Sequence, residues 1–226
     1  MAGSLSLEQL EELRKITTPT ILNAIETFDV RPRNAGFMNP EIKCIFPELG
    51  SMVGYAATGK LVANRPATDE QEGLNHVMWK HILSMPAPRV VVIQDIDDPP
   101  AIGSLWGEVN CTIHKALGCV GTVTNGGVRD LTEVRAMGFH FFAAHVIPSH
   151  AYEHLVEVGK PVKVGGLRVR PGDLLHADQH GVAIIPHEIA AEVAARAREV
   201  ERNERNVINF FRSPDFSPEK IIEAQH

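Results

Sequence analysis

The sequence predicts a mixed α/β fold, on three observations. The run Arg89-Val90-Val91-Val92-Ile93 is apolar at every position after its first residue, as suits a strand covered on both faces. Cys119-Val120-Gly121-Thr122-Val123-Thr124 reads the same way, and the segment between the two, Glu108 to Leu117, has helical patterning that stops at Gly118. Beyond this strand-turn-helix core, Val162-Lys163-Val164 and Leu167-Arg168-Val169 flank the glycine pair Gly165-Gly166, which is the pattern of a hairpin.

The remaining elements follow in order. Ser6 and Gln9 make a capping box ahead of Leu7, Leu10 and Leu13, and Thr18 caps a second helix that starts at Pro19, so two amphipathic helices occupy about 6–28. From Ser51 to Ala63, β-branched and aromatic residues alternate with small ones as in a half-buried strand, which ends in Asn64-Arg65-Pro66. Thr68 and Gln71 repeat the capping box before a helical face of Leu74, Val77, Met78 and Ile82. Pro86, Pro88 and the acidic turn Asp95 to Asp98 bound the strand at 89–93. Asn125-Gly126-Gly127 reads as a turn, followed by a helix from Arg129 to Met137 that ends at Gly138. Phe139 to Ile147 is a strand closed by Pro148, and Val182 to Ile185 is the last strand. A final helix, about 188–210, places Ile189, Val193, Ala197, Val200 and Val207 on one face, and a polar tail begins near Ser213. With no repeat, low-complexity segment or linker, residues 1–226 read as a single domain.

Bulk properties exclude several classes of function. The chain has 226 residues, 44% of them apolar, enough for one substantial core. A net charge of -6 and the lack of a basic run argue against nucleic acid as a partner. Met1 to Ser6 has no positive region leading into an apolar stretch, and no run of about 18 apolar residues occurs, so a cytoplasmic protein without membrane attachment is expected. Cys44, Cys111 and Cys119 are too few and too scattered for a disulfide framework and read as buried thiols.

Candidate chemistry gathers where the buried strands end, which is where α/β folds usually place sites. The strand 119–124 runs into Val128-Arg129-Asp130-Leu131-Thr132-Glu133. Arg129 offers a planar fork for a carboxylate, Asp130 a hard oxygen for Mg²⁺, and Glu133 lies one helical turn beyond it. Gly107-Glu108-Val109-Asn110 opens the preceding helix, whose first N-H groups form a seat for an anion. From local physics alone, an Arg-Asp pair at a helix start is more often a charge matched to the helix dipole.

The residues that decide between these readings carry a resemblance. Trp106-Gly107-Glu108, twenty residues, Arg129-Asp130, two residues and Glu133 resemble the signature of the RraA-like family. Gly126-Gly127-Val128-Arg129-Asp130, Pro171-Gly172-Asp173-Leu174-Leu175-His176-Ala177-Asp178 and Gly181-Val182-Ala183-Ile184-Ile185-Pro186 match it as well, and the similarity runs from about Thr18 to the final helix. The family includes metal-dependent 4-hydroxy-4-methyl-2-oxoglutarate aldolases that also decarboxylate oxaloacetate, and regulators of ribonuclease activity. The resemblance implies an α/β/β/α sandwich of swivelling-domain type with flanking terminal helices. It implies Arg129 as the group holding the substrate carboxylate and keto oxygen, with Gly107 and the N-H groups of Val109 and Asn110 completing that seat. Asp130, Glu108 and Glu133 are the implied metal site for Mg²⁺ or Mn²⁺, the substrate is a small 2-oxo acid, and the assembly is a homotrimer or a dimer of trimers. Where relatives can carry Asp, this chain has Glu108, and its segment after Phe142 lacks a longer, arginine-bearing stretch found in many of them.

Cleaving the bond next to a 2-oxo acid leaves an enolate of pyruvate, so an electron sink is required. Lys60 and Lys115 are the lysines nearest to plausible sites, yet no neighbouring pattern marks either as a Schiff-base lysine, whereas Asp130 and Glu108 are hard metal ligands and Arg129 adds positive charge. Other motifs read blandly. His140, His145, His150 and His154, or His176 with His180, lack zinc spacing and are expected at the surface or a pocket rim. Asp178 suits a turn carboxylate bonded to backbone N-H groups. Gly103, Gly107, Gly118 and Gly121 do not form a dinucleotide fingerprint, which also sets aside a quinone methyltransferase. The reading is therefore a divalent-metal-dependent lyase producing pyruvate, with a non-catalytic, ribonuclease-binding regulator as the alternative.

Overall fold

Parallel pairing organises the molecule. In the computed structural model, which describes residues 4–214 and 216–219, four strands run side by side in one direction: β2 (Met52–Val62), β3 (Arg89–Asp95), β4 (Cys119–Val128) and β5 (His140–Val146). Met1 to Gly3 of the expected leaderless start, and residues 215 and 220–226 of the expected tail, lie outside the described residues. Antiparallel strands extend the sheet on both sides. β1 (Lys43–Cys44) adds to β5, while β9 (Leu174–Asp178) and β10 (Gly181–Ile185) continue from β2, giving the order β1-β5-β4-β3-β2-β9-β10. β6 (His154–Val158) pairs with the second half of β2, and β7 (Val162–Val164) with β8 (Leu167–Val169) forms the expected hairpin.

The apolar strands feed two cores because side chains alternate. Val91 and Ile93 join Met78, Ile82, Trp106, Cys111, Val134, Phe139 and Phe141 beneath α4 (Leu74–Ser84), α5 (Glu108–Ala116) and α6 (Leu131–Ala136). Val90 and Val92 turn the other way, toward Val123, Phe142, Leu175 and the hairpin residues Val162, Val164 and Val169. The four apolar β3 side chains, Val90 to Ile93, are fully buried, each worth roughly 1.5–3 kcal/mol of apolar transfer. A third cluster packs α1 (Leu7–Arg14), α2 (Thr18–Glu26) and α7 (Ala190–Phe211) on Val53, Tyr55, Leu174 and Ile185.

Several elements differ from expectation for definable reasons. The α2 cap is Thr17, whose hydroxyl accepts the Thr20 N-H at 3.4 Å; Thr18 instead meets His176 Nδ1 at 2.9 Å. β2 is buried on both faces, since it lies mid-sheet between β3 and the β9/β6 pair. Gly73 divides the helix expected after Thr68 into α3 (Asp69–Glu72) and α4, of whose apolar face Met78 and Ile82 are buried while Val77 is 49% exposed. On α7 only Ala190, Val193 and Ala197 are buried, and Val207 is 55% exposed. β6 and β9 have no counterpart in the sequence reading.

The largest correction concerns Asn125-Gly126-Gly127, which is strand and not turn. Thr124 faces Ala143 and Gly127 faces His145, so three steps along β4 oppose two along β5, a β-bulge with one extra residue. Asn125 supplies the missing ladder contacts through its side chain, accepting the Asp95 N-H at 2.9 Å and donating to the Asp95 carbonyl at 2.8 Å. Gly127 is required because a Cβ there would lie 2.5 Å from the Ile147 side chain. Among the described residues no helix is long and apolar enough to cross a membrane.

Candidate active site at the carboxyl edge of the parallel strands

The carboxyl ends of β2, β3, β4 and β5 fall together, and the loops leaving them are tied to one another. Trp106 forms an isolated parallel bridge with Val128, and its carbonyl accepts the Arg129 N-H at 3.0 Å. This lays Gly107-Glu108 beside Arg129-Asp130. Ser104 Oγ donates within reach of both the Trp106 carbonyl (2.9 Å) and the Gly127 carbonyl (2.7 Å), which fixes the approach. Strain concentrates here as well: Ala101, Asp130 and Ala151 have φ of 65°, 56° and 48°, a region that non-glycine residues occupy only when their surroundings over-determine it.

Asp130 links the two helix starts. It is the N-cap of α6 in left-handed conformation, and its Oδ2 accepts the Glu108 N-H at 2.9 Å, capping α5 from outside. Its Oδ1 lies 3.4 Å from Arg129 Nη1. Arg129 Nε is buried and has no hydrogen-bond partner among the described residues, which leaves a donor open beside Gly107. Gly107 leaves that space free: a Cβ there would stand 2.5 Å from Asp130 Oδ2 and 3.2 Å from Arg129 Nε. The result is a small cradle of guanidinium, carboxylate and helix N-terminus, in which an anion has donors on two sides.

The structure thus gathers Arg129, Asp130, Gly107 and the start of α5. Glu108 enters through its backbone, while its side chain is exposed, and the amide of Asn110 is used structurally on the Leu105 carbonyl at 2.7 Å. Val109 is 71% exposed. Glu133 is exposed on α6 and makes no ion pair or hydrogen bond to the others among the described residues. Nor do three or more His, Cys, Asp or Glu side chains converge as a metal site among those residues. Asp130 with Glu108 is the hard-oxygen pair available, a set that suits an ion retaining several waters.

Three further carboxylates at this edge were not singled out from the sequence. Asp95 is buried and accepts the N-H groups of Asp97 (3.0 Å) and Ala101 (2.7 Å); burial raises its pKa, against those hydrogen bonds. Asp97 accepts the Ala63 N-H at 2.6 Å. Glu153, in the loop between β5 and β6, is half-buried, and burial pushes its carboxyl up to about 7 although the Arg129 charge acts the other way. No sequence pattern marked it.

The histidine expectation needs correction. His154 and His176 are buried and not at the surface, His140 has little exposure but lines a cleft, and His145, His150 and His180 are exposed as expected. His176 bridges Thr18 Oγ1 at 2.9 Å and the Leu13 carbonyl at 3.0 Å, which joins β9 to the first two helices. Asp178 is a structural carboxylate, accepting the N-H groups of Thr18 (2.9 Å) and His180 (2.8 Å); burial alone would raise its pKa, but these bonds outweigh it and lower it. A cleft of about 560 Å³ lies at the opposite edge of the strands, between α1 and His140, away from this cradle.

Comparison with known proteins places the arrangement. The family model described as RraA-like, Aldolase/RraA, matches residues 18–184. A protein of Halalkalibacterium halodurans with the provisional name 4-hydroxy-4-methyl-2-oxoglutarate aldolase is 30% identical over 204 residues, 88% of this chain and 86% of that one. An uncharacterized protein of Methanocaldococcus jannaschii is 27% identical over 126 residues, 55% of this chain, and the match spans 61% of its length. The crystal structure of Streptomyces coelicolor RraAS2, described as an unusual member of the RNase ES inhibitor RraA family, superposes with a TM-score of 0.70 at 21% identity, covering 91% of this chain and 98% of the other, which shows the shared fold. With the family match running from α2 through β10 and enclosing the whole cradle, the chain belongs to the RraA-like family.

Proposed function

We propose that this chain is a carbon-carbon lyase acting on a small 2-oxo acid, by retro-aldol cleavage of a 4-hydroxy-2-oxo acid, decarboxylation of oxaloacetate, or both. The observation that carries the reading is the unpartnered, buried Nε of Arg129 beside the bare Cα of Gly107 and the start of α5. Arg129 binds the substrate carboxylate and keto oxygen, and the first turn of α5 adds N-H donors and the positive end of its dipole. Asp130 orients the guanidinium and holds the α5 N-terminus in place. As the bond next to C3 breaks, negative charge moves onto the keto oxygen, and Arg129, already in place, stabilises it without reorganisation. A bound Mg²⁺ or Mn²⁺, held by Asp130 and Glu108 with water in its other positions, would supply the Lewis-acid sink for that charge.

The lysines support this choice over a Schiff base. Lys60 is ion-paired with Glu157 at 2.7 Å, and Lys115 Nζ donates to the Met137 carbonyl. The test is pyruvate release from oxaloacetate and from 4-hydroxy-4-methyl-2-oxoglutarate with Mg²⁺ or Mn²⁺, with and without a chelator. Release that depends on the metal supports the reading, and its absence ends it. Recovery of an RNA-degrading enzyme by the inactive protein would favour the regulator alternative. Family membership also supports a homotrimer or a dimer of trimers, which light scattering would read directly.

A further inference from the structure

We propose that Glu153 is the acid-base residue of this site: its carboxylate takes the proton of the C4 hydroxyl as the C3-C4 bond breaks, and its carboxyl then returns that proton to C3. The inference rests on the lyase reading. In the first half-step the hydroxyl O-H bond breaks, C4 becomes a carbonyl, and the electron pair of the C3-C4 bond passes into the enolate of pyruvate. In the second, the proton on Glu153 forms the new C3-H bond, so the residue and the charge return to their starting state.

Placement carries the argument. The loop from β5 to β6 is pinned to the segments that lead into the cradle and to the end of β2. The Ile147 N-H donates to the Val128 carbonyl at 3.0 Å, the Ser104 N-H to the Ser149 carbonyl at 3.0 Å, and the Tyr152 N-H to the Ala63 carbonyl at 3.3 Å. Gly103 packs so closely that a Cβ there would strike the His150 carbonyl and Ala151. The Glu153 N-H donates to the His150 carbonyl at 3.1 Å, which closes a turn containing the left-handed Ala151. Glu153 therefore projects from a rigid, strained turn and not from a free loop.

Its electrostatic surroundings separate it from the other carboxylates. Asp95 accepts the N-H groups of Asp97 and Ala101 on its two oxygens, and Asp97 accepts the Ala63 N-H on one oxygen while its Oδ1 is buried without a partner among the described residues. The Glu153 carboxylate makes no hydrogen bond or ion pair among the described residues, although it is half-buried and within the field of Arg129. Charged and titratable groups at the neighbouring strand exits are Arg65, Asp95, Asp97, Asp98, Glu108, Arg129 and Asp130, with His145, His150 and His154 in its own strand and loop; the charge that acts on it is that of Arg129. Burial outweighs that field and sets the carboxyl at about 7, where both protonation states are populated at neutral pH.

The experiment compares wild type, Glu153→Gln and Glu153→Asp, each checked for an unchanged melting transition. With a 4-hydroxy-2-oxo acid, Glu153→Gln should lower kcat by about 10²–10⁴-fold at nearly constant KM and remove the pH limb near neutrality, with partial recovery in Glu153→Asp. Oxaloacetate decarboxylation, which has no hydroxyl proton to remove, should fall much less. Calorimetric titration with oxalate in buffers of different ionisation enthalpy gives a readout without turnover: wild type should take up a proton on binding near pH 7, and Glu153→Gln should bind oxalate without that uptake. An active wild type matched by Glu153→Gln in cleavage and in proton uptake overturns the role of Glu153 alone. A wild type with no turnover of any of these substrates overturns the lyase reading, and the role of Glu153 with it.

Discussion

Replacing Gly107 with alanine isolates the contribution of the cradle, because the backbone itself would tolerate the change. Gly107 has φ -147° and ψ -173°, extended values open to any residue, so the effect comes from the added methyl group. That carbon would lie 2.5 Å from Asp130 Oδ2, whereas ordinary contact begins at 3.4 Å, so the carboxylate must retreat by about 1 Å. Arg129 Nε and Cζ, at 3.2 and 3.3 Å, need move by only a few tenths of an ångström. The retreat breaks the 2.9 Å bond from the Glu108 N-H, a charge-assisted contact worth about 1.5–3 kcal/mol, toward the lower end because the Asp130 side chain is 30% exposed. A loss of about 2 kcal/mol lowers Tm by roughly 4–8 °C in a chain of this size. Function should suffer more, since a displacement of about 1 Å in a positioning group costs on the order of 10²-fold. Thermal melts, oxalate titration and coupled pyruvate release measure these separately. If Gly107→Ala melts, binds and turns over as wild type does, the cradle is not where the substrate sits.

Three other outcomes follow from the same geometry. Arg129→Ala should lose at least about 10²-fold in kcat/KM, and Arg129→Lys should recover little because the unpartnered Nε belongs to a planar fork that lysine lacks; full activity in the lysine variant would contradict the assignment. Asp130→Gly and Asp130→Ala should both be inactive, but the glycine variant should be more stable by about 1 kcal/mol, since φ 56° costs alanine and not glycine; equal melting curves would remove the strain argument. Burial, aided by the Arg14 charge, depresses the His140 pKa to about 4, so as pH falls below the ordinary value near 6.5 the unfolded chain takes up a proton that the folded chain refuses. Stability from this group is therefore present above about 6.5 and lost on the way down to 4; urea titrations at pH 7 and pH 5 should show wild type losing about 2 kcal/mol more than His140→Phe, and parallel losses would refute it.

Local signals explain what could be read from the sequence. The Ser6-Gln9 and Thr68-Gln71 boxes, the apolar runs of β3 and β4 and the Gly165-Gly166 hairpin each specify their structure within a few residues, and each is present. What escaped depends on distant partners. Asn125-Gly126-Gly127 has the composition of a turn, yet Asn125 finds the Asp95 backbone thirty residues earlier and the strand continues. β6 and β9 acquire strand geometry from pairing with β2, not from their own alternation. His140 and His176 are polar by type but are enclosed by elements far along the chain. The Arg129-Asp130 pair was legible as an unusual dipeptide at a strand exit, whereas Glu153 is one glutamate among many until the packing of Gly103 and Ser104 fastens its loop beside the segment leading into the site, within the field of Arg129.

The extra residue in β4 is absorbed locally, so that the strand pairs with β5 on both sides of it, Thr124 with Ala143 and Gly127 with His145. Val128, with 0% exposure, points into the core opposite Val146, and Arg129 follows it at the exit of the strand. Excising one glycine would leave two steps against two, so Val128 would keep its place opposite Val146, but Asn125 would lose the bulged position from which its side chain meets the Asp95 backbone. Chain length at this point is thus a constraint on the seam between β3 and β4: a deletion that leaves Arg129 and Asp130 intact would still unfasten the strand end that presents them.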